Sequence, residues 1–361
     1  MQCCFRPASR PPVSASRVPP LRTPALQSRV SSNSGDNPRP HVRRPRYSGT
    51  NPRTFHQKYK ELQPDRYATE VQKVIESGKT PAGMHLPIMI DEVMACTRPE
   101  PGNVVVDCTV GGGGHTRQFL ERVKPGGRVI GLDVDPIELP RTEASLRALG
   151  FGPDAVVLSH SNFAGLPRVL AADGVTSVDV IFADLGVSSM QLDNPDRGFS
   201  YKQMGPLDMR MNPARGEPAA ALVARLDATS LAEILSTNAD EPFADLIAGR
   251  LTQLKPATTQ DAARAVRDVL TKTQPRLSPD EITLSIRRTF QALRIEVNAE
   301  LSTLDALLRA LPLWLAPGGR AAFLTFHSGE DRRVKKSFQA GHREGVYVEV
   351  AADPVRATPR E

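Results

Sequence analysis

From His85 to about Ser328 the chain alternates two apolar patterns. Short, nearly continuous runs (NVVVDCTV, RVIGLDVD, AVVLSHSN, SVDVIFADLG) are separated by stretches in which apolar residues recur every three or four positions. The short runs, rich in Val and Ile and bounded by turn formers, predict strands buried on both faces, and the stretches between them predict helices. Helices are expected over LPIMIDEVMACT, from about Thr116, over 139–149 and over 164–172. This βαβα rhythm predicts an α/β fold with a mainly parallel sheet. It stops near residue 205. Up to 295 the pattern is helical, with Phe243, Leu246, Ile247, Leu251 and Leu254, then Ala262, Val266, Val269 and Leu270, on helical faces. One more helix (Leu301, Leu304, Leu307, Leu308, Leu311), a turn at APGG and a strand, RAAFLTFHS, then resume the sheet. The expected organisation is a disordered leader over 1–45, a polar extension over 46–84 with a helix at YKELQPDRYATEVQKVIES, and a sheet domain in two parts (85–204 and 296–361). A helical insertion over 205–295 interrupts that domain.

Charge alters the reading of the N-terminus only. The net charge of the 361 residues is +6, yet residues 1–50 hold nine Arg, no Lys, no Glu and one Asp. The remainder has 37 basic and 39 acidic residues, so the basic balance says nothing about what the folded part binds. Eight Ser and nine Pro in the same fifty residues give the composition of an organelle transit peptide rather than a secretory signal, which needs a continuous apolar stretch. The prolines disfavour an Arg-rich amphipathic helix, which favours the chloroplast stroma, with the mitochondrion as the alternative. No run approaches the about 18 apolar residues of a membrane span, so a soluble protein is expected. Cys96 and Cys108 have no CxxC spacing, and neither a zinc site nor a disulfide framework is predicted.

Three predicted strands end in an acid: Asp107, Asp133 and Asp184. In an open parallel sheet ligands bind beyond the carboxyl ends of the strands, so the three acids are expected to face one crevice. The first is followed by Gly111, Gly112, Gly113, Gly114 and His115, a loop whose bare backbone admits close approach. Nicotinamide dinucleotides and S-adenosylmethionine both use such loops. The dinucleotide fingerprint needs a third glycine where Thr116 stands. An acid ahead of the loop suits a ligand carrying an amine and a sulfonium. Asp133 is placed to accept from ribose hydroxyls in either class. S-adenosylmethionine is the better match, with no metal required. The stretch 182–213, FADLGVSSMQLDNPDRGFSYKQMGPLDMRMNP, follows the third acid and is too rich in Met, Leu and Phe for plain disorder.

The segments HLPIMIDEV, GGGGH, DLGVSSMQLD, DRGFSY, GPLDMRM, RTFQALRIEVNAEL, LAPGGR and FHSGEDRRVK resemble, in order and spacing, the RsmH (MraW) family over residues 85 to about 340. The resemblance implies a Rossmann-like methyltransferase with a helical insertion. Its implied reaction is S-adenosylmethionine-dependent methylation of N4 of a cytidine in small-subunit ribosomal RNA. It implies cofactor contacts at Gly113, Gly114, His115, Asp133, Phe163, Asp184 and Gln191. Asp184 is the candidate acceptor for the amine proton, and Ser188 and Ser189 are candidate contacts to the amine or base. Phe199, Tyr201, Phe326 and His327 are candidates for receiving the displaced base. Arg287, Arg288, Arg294, Arg332, Arg333, Lys335 and Lys336 are candidates for phosphates. Partners would be the RNA or an assembling subunit, with no membrane, and the enzyme a monomer or homodimer. The alternatives are a methyltransferase for another RNA, a protein or a small molecule, and a catalytically reduced ribosome-assembly factor. The sequence departs from the family at Gly329, at Leu284 to Arg287 and at Pro242. It also lacks the family's arginine-rich ending, which puts the completeness of the sheet in question.

Overall fold

The structure, a computed structural model, describes residues 1–5 and 87–357. The polar extension and its expected helix lie outside the described residues, as does 6–45. The strands are β1 (Gln2–Phe5), β2 (Val104–Asp107), β3 (Arg128–Asp133), β4 (Val156–His160), β5 (Val178–Asp184), β6 (Leu315–Leu324) and β7 (Glu349–Val350). They form one sheet in the order β4-β3-β2-β5-β6-β1-β7. The five strands from β4 to β6 run parallel, as the buried runs predict. The helices flanking them are α1 (Ile90–Thr97), α2 (Gly114–Val123), α3 (Glu138–Ala148), α4 (Leu166–Ala172) and α5 (Ser189–Asp193).

Strand periodicity divides the sheet residues between two cores. Val106, Ile130, Ile181, Ala321 and Phe323 face one side, packed on Leu166 and Leu170 of α4 and on the leucines 304, 307, 308 and 311. Val105, Val129, Val180, Phe182 and Ala322 face the other, against Phe119, Leu120 and Val123 of α2. Phe119 and Phe182 are fully buried and their rings meet at 5.5 Å. Burying a side chain of that size contributes about 3 kcal/mol.

Helices α6 (Ala219–Arg225), α7 (Ala228–Ala239), α8 (Ala244–Leu254), α9 (Thr259–Thr273) and α10 (Pro279–Asn298) build a third core. Their starts follow local chemistry. Ser278 and Glu281 form a reciprocal capping box at α10 with Pro279 in its first turn, and Asp227 and Thr258 cap α7 and α9. The third core reaches back to Phe199, Leu207 and Met209. Helix α11 (Glu300–Trp314) returns the chain to β6, and α12 (Ser328–Arg343) follows it.

Three expectations change. APGG is not a turn before the last parallel strand. It lies inside β6, where pairing with β5 jumps from Val178↔Leu315 to Val180↔Arg320, so the extra residues are taken up as an irregularity of the ladder. Residues 2–5, expected to belong to a disordered leader, form β1, antiparallel to β6 on one side and β7 on the other. Cys4 is buried there beside Phe323, Phe338 and Tyr347. The sheet thus continues beyond β6 through β1 and β7. Four residues carry no legible periodicity, and the Arg/Ser/Pro-rich composition of residues 6–45 hides them. Finally, Cys96 is disulfide-bonded, whereas Cys4 and Cys108 are free and buried.

Candidate active site

The carboxyl ends of β2, β3 and β5 converge on a cavity of about 460 Å³. Each acid is held differently. Asp107 is fully buried, accepting from the Thr116 hydroxyl (2.6 Å) and the Thr109 amide (3.1 Å). Burial, against those hydrogen bonds, pushes its carboxyl up to about 6. It fastens the loop to α2 and does not line the cavity. Asp133 does line it; it accepts from the amides of Gly111 (2.7 Å) and Asp135 (2.8 Å), and burial raises its pKa.

Asp184 is the least satisfied of the three. Its amide donates to Thr109 Oγ1, but its carboxylate Oδ1 is buried with no hydrogen-bond partner. Burial, with the charges of Asp107 and Glu330 adding, pushes the carboxyl up to about 7. His115 Nδ1 lies 3.7 Å from Asp184 Oδ2, while His115 Nε2 sits 3.0 Å from the Ile88 carbonyl. A carbonyl only accepts, so Nε2 carries the proton and Nδ1 presents its lone pair to Asp184. Burial lowers the His115 pKa to about 4, so the ring is neutral at pH 7 and gives Asp184 no counter-charge.

The glycine loop divides its labour. Gly111, Gly112 and Gly114 line the cavity; Gly113 does not. Gly113 caps α2 with φ at +78°, and a Cβ there would lie 2.7 Å from Thr142 Cγ2, so this position needs glycine for helix entry and close packing. Its role is one step behind the cofactor surface that the resemblance implies.

Ser188, Ser189, Phe163 and Gln191 all reach the cavity wall. Two of them are already occupied. Ser188 caps α5, accepting from the Gln191 amide, and Gln191 Oε1 accepts in return from the Ser188 amide. Gln191 Nε2 donates to Asp135 (2.7 Å). This capping box makes Ser188 and Gln191 organisers of the loop first.

Of the four candidates for the base, only Phe326 lines the cavity, at 58% exposure. Phe199 is buried in the helical core, Tyr201 packs edge-on against Phe290, and His327 caps α12. Their apolar or capping environments, invisible in a single sequence, take precedence. Among the candidate phosphate ligands, Arg294 is committed to Glu300 through two bonds of 2.8 and 2.9 Å at low exposure. Arg332 pairs with Asp240 and Arg333 with Asp305, both at 3.4 Å and partly exposed. Arg287, Arg288, Lys335 and Lys336 are at least partly exposed.

Sequence reasoning missed one device. Arg197 Nη1 lies 2.8 Å from Asp135 Oδ2, with side chains 8% and 1% exposed, and Arg197 Nη2 donates to the carbonyls of Arg210 and Met211. This buried pair ties the 182–213 stretch to the turn after β3. An arginine and an aspartate in two separate Asp/Gly-rich loops were its only sequence trace.

The cavity's charge selects its ligand. Six carboxylates line it and no Lys or Arg does among the described residues; Asp135, Glu138 and Glu300 are paired with Arg197, Arg141 and Arg294, which leaves Asp133, Asp184 and Glu330 without an arginine partner. A pyrophosphate would be repelled; a sulfonium and an amine would not. With the open parallel sheet and the glycine loop at its ligand-binding edge, this defines a Rossmann-like methyltransferase that uses S-adenosylmethionine. The chain belongs to the MraW methylase family, whose model matches residues 82–355. It is 45% identical over 326 residues to ribosomal RNA small subunit methyltransferase H 1 of Lachnoclostridium phytofermentans, covering 89% of this chain and 88% of that one. It is 46% identical over 324 residues to ribosomal RNA small subunit methyltransferase H 2 of Alkaliphilus metalliredigens, covering 88% and 92%. Among the described residues no cluster of three or more His, Cys, Asp or Glu is arranged to hold a metal ion, and no helix is long and apolar enough to cross a membrane.

Proposed function

We propose that this enzyme methylates N4 of a cytidine in the small-subunit ribosomal RNA of an organelle. The observation that carries the chemistry is the orphaned, buried Oδ1 of Asp184 in an acid-lined cavity. Small-subunit ribosomal RNA as substrate is supported by the names of the relatives at 45% and 46% identity, and the cytidine N4 by the resemblance of the chain's motifs to the RsmH family. When bound, S-adenosylmethionine supplies a methyl group already activated by its sulfonium.

The chain's own residues do the rest. Asp133 offers its remaining lone pairs to the ribose hydroxyls, Phe163 an apolar face to the adenine, and the amides of the glycine loop a surface without side chains. Asp184 accepts a hydrogen bond from the cytidine amine at Oδ1. That polarises an amine whose lone pair is delocalised into the ring, and Asp184 would take up its proton as the N–C bond forms and the methyl's bond to sulfur breaks, leaving a neutral thioether. The neutral His115 leaves the aspartate's charge uncompensated until the cationic ligand arrives. Most of the rate comes from alignment.

The organellar setting is supported by the Arg/Ser/Pro composition of residues 6–45, with the chloroplast favoured and the mitochondrion as the alternative. Import that removes residues 1–45 would also remove β1 from the sheet, so N-terminal sequencing of the protein recovered from organelles tests whether this segment is retained. The activity itself is tested by incubating the protein with small subunits lacking the modification and digesting the RNA for mass spectrometry. N4-methylcytidine is the expected product. A methylated nucleoside of another kind would assign another substrate, and none at all would remove the reading.

A further inference from the structure

We propose that Phe326 is the platform that receives the target cytosine, with Gly186 keeping the space beside it open and Glu330 fixing its position; this rests on the cytidine N4 reading above. Phe326 is the one exposed aromatic in the described part that belongs to the cavity wall. Its place follows from the sheet. Strands β5 and β6 run parallel, and their last paired residues are Asp184 and Leu324. Two residues further along each chain stand Gly186 and Phe326. The aromatic thus leaves its strand next door to the strand that delivers Asp184. The DLGVSS stretch after β5 contains no aromatic, so the neighbouring strand supplies one.

Gly186 has φ at +100°, and a Cβ there would lie 3.7 Å from Phe326 Cδ2, in the space beside the ring. Glycine therefore serves both the backbone and the gap. Beneath, Glu330 is 2% exposed, and its Oε2 accepts from the Phe326 amide at 2.8 Å. Its Oε1 lies 3.2 Å from His327 Nε2, and the His327 ring caps α12 through Nδ1. The backbone at 326 is thereby tied to the first turn of α12 while the ring projects into the cavity. An exposed flat ring held from behind suits stacking by a displaced base, which every base offers through its π face. Discrimination against uracil, which has no exocyclic amine, would then come from Asp184. Glu330 is a positioning residue, acting through Phe326.

The experiment uses the full chain, radiolabelled S-adenosylmethionine and small subunits lacking the modification, with cofactor affinity measured separately by calorimetry. Phe326→Leu keeps apolar bulk and loses the flat face. It should lower kcat/KM for the subunit about ten- to a hundredfold, mainly through KM, with cofactor Kd unchanged. Phe326→Tyr should stay near wild type. Glu330→Ala should show the same KM-weighted loss, and Glu330→Gln, whose amide oxygen still accepts from the Phe326 amide, should recover most of it. Phe326→Leu acting at the wild-type kcat/KM, or losing cofactor affinity by the same factor as activity, would overturn the proposal and leave the substrate reading standing. A wild-type protein that makes no N4-methylcytidine would remove both.

Discussion

Arg197→Met removes the cation from the buried pair that joins the 182–213 stretch to the turn after β3. Asp135, 1% exposed, then keeps three donors: Gln191 Nε2 at 2.7 Å and the amides of Ile137 and Glu138 at 2.9 and 3.4 Å. Stranding one member of a buried pair costs about 3–5 kcal/mol, and these remaining donors place the cost at the lower end, about 3 kcal/mol. The carbonyls of Arg210 and Met211 lose their partner as well, and together they add about 1 kcal/mol where water reaches one of them. The total is about 4 kcal/mol. Adding Asp135→Asn removes the stranded charge and should recover about 2 kcal/mol, so a double-mutant cycle should show strong coupling. Urea unfolding of the four proteins measures it, and calorimetry on the single variant should show weakened cofactor binding, because Gln191 and the turn beside Asp133 share the network. A loss below about 1 kcal/mol, or additivity within about 0.5 kcal/mol, would refute the argument that this pair holds the loop on the cofactor site.

The Asp184 carboxyl, raised to about 7, must be ionised to meet a cation. Cofactor affinity should therefore be level above pH 7 and fall as pH drops below it, by at most about tenfold per unit, in calorimetry between about pH 5.5 and 8.5; Asp184→Asn should lack that slope. The same shift has a consequence for stability. A carboxyl raised on folding holds its proton in the native state between about pH 4 and 7, so its contribution is present at low pH and lost as pH rises through about 7. Asp184→Asn should accordingly raise the melting temperature at pH 8 by about 2 °C or more while methyl transfer is lost. Gly113→Ala forces a side chain into left-handed backbone and onto Thr142, and should cost about 2 kcal/mol by urea unfolding with the cavity lining unchanged. Cys4→Pro should cost about 3 kcal/mol or more by the same measurement if β1 is a sheet strand.

Much of the architecture was legible because its physics is periodic. Val105 and Val106, Val129 and Ile130, and Val180 and Ile181 read as doubly buried strands, and they are. The acids at the ends of β3 and β5, Asp133 and Asp184, gave the crevice, whereas Asp107, expected there with them, is turned to Thr109 and Thr116 and holds the loop instead. What failed to show was set by tertiary context. Nothing local distinguishes Phe326, at the cavity, from Phe199, buried in the helical core. Gly113 and Gly114 read alike, yet one packs on Thr142 and the other lines the cavity. Arg294 read as a basic surface residue, and its commitment to Glu300 depends on how α10 turns into α11. Strand β1 was hidden by its length.

The central claim, that Asp184 serves the methylation of a cytidine amine, is tested most directly by one mass spectrum. Small subunits from a strain lacking this enzyme are incubated with S-adenosylmethionine and either the wild-type protein or Asp184→Asn, and the RNA is digested to nucleosides. N4-methylcytidine is expected with the wild type and should be lost with Asp184→Asn, although that variant stays folded. Equal N4-methylcytidine from both proteins would contradict the role given to Asp184, and its absence from both, with cofactor bound, would contradict the proposed substrate.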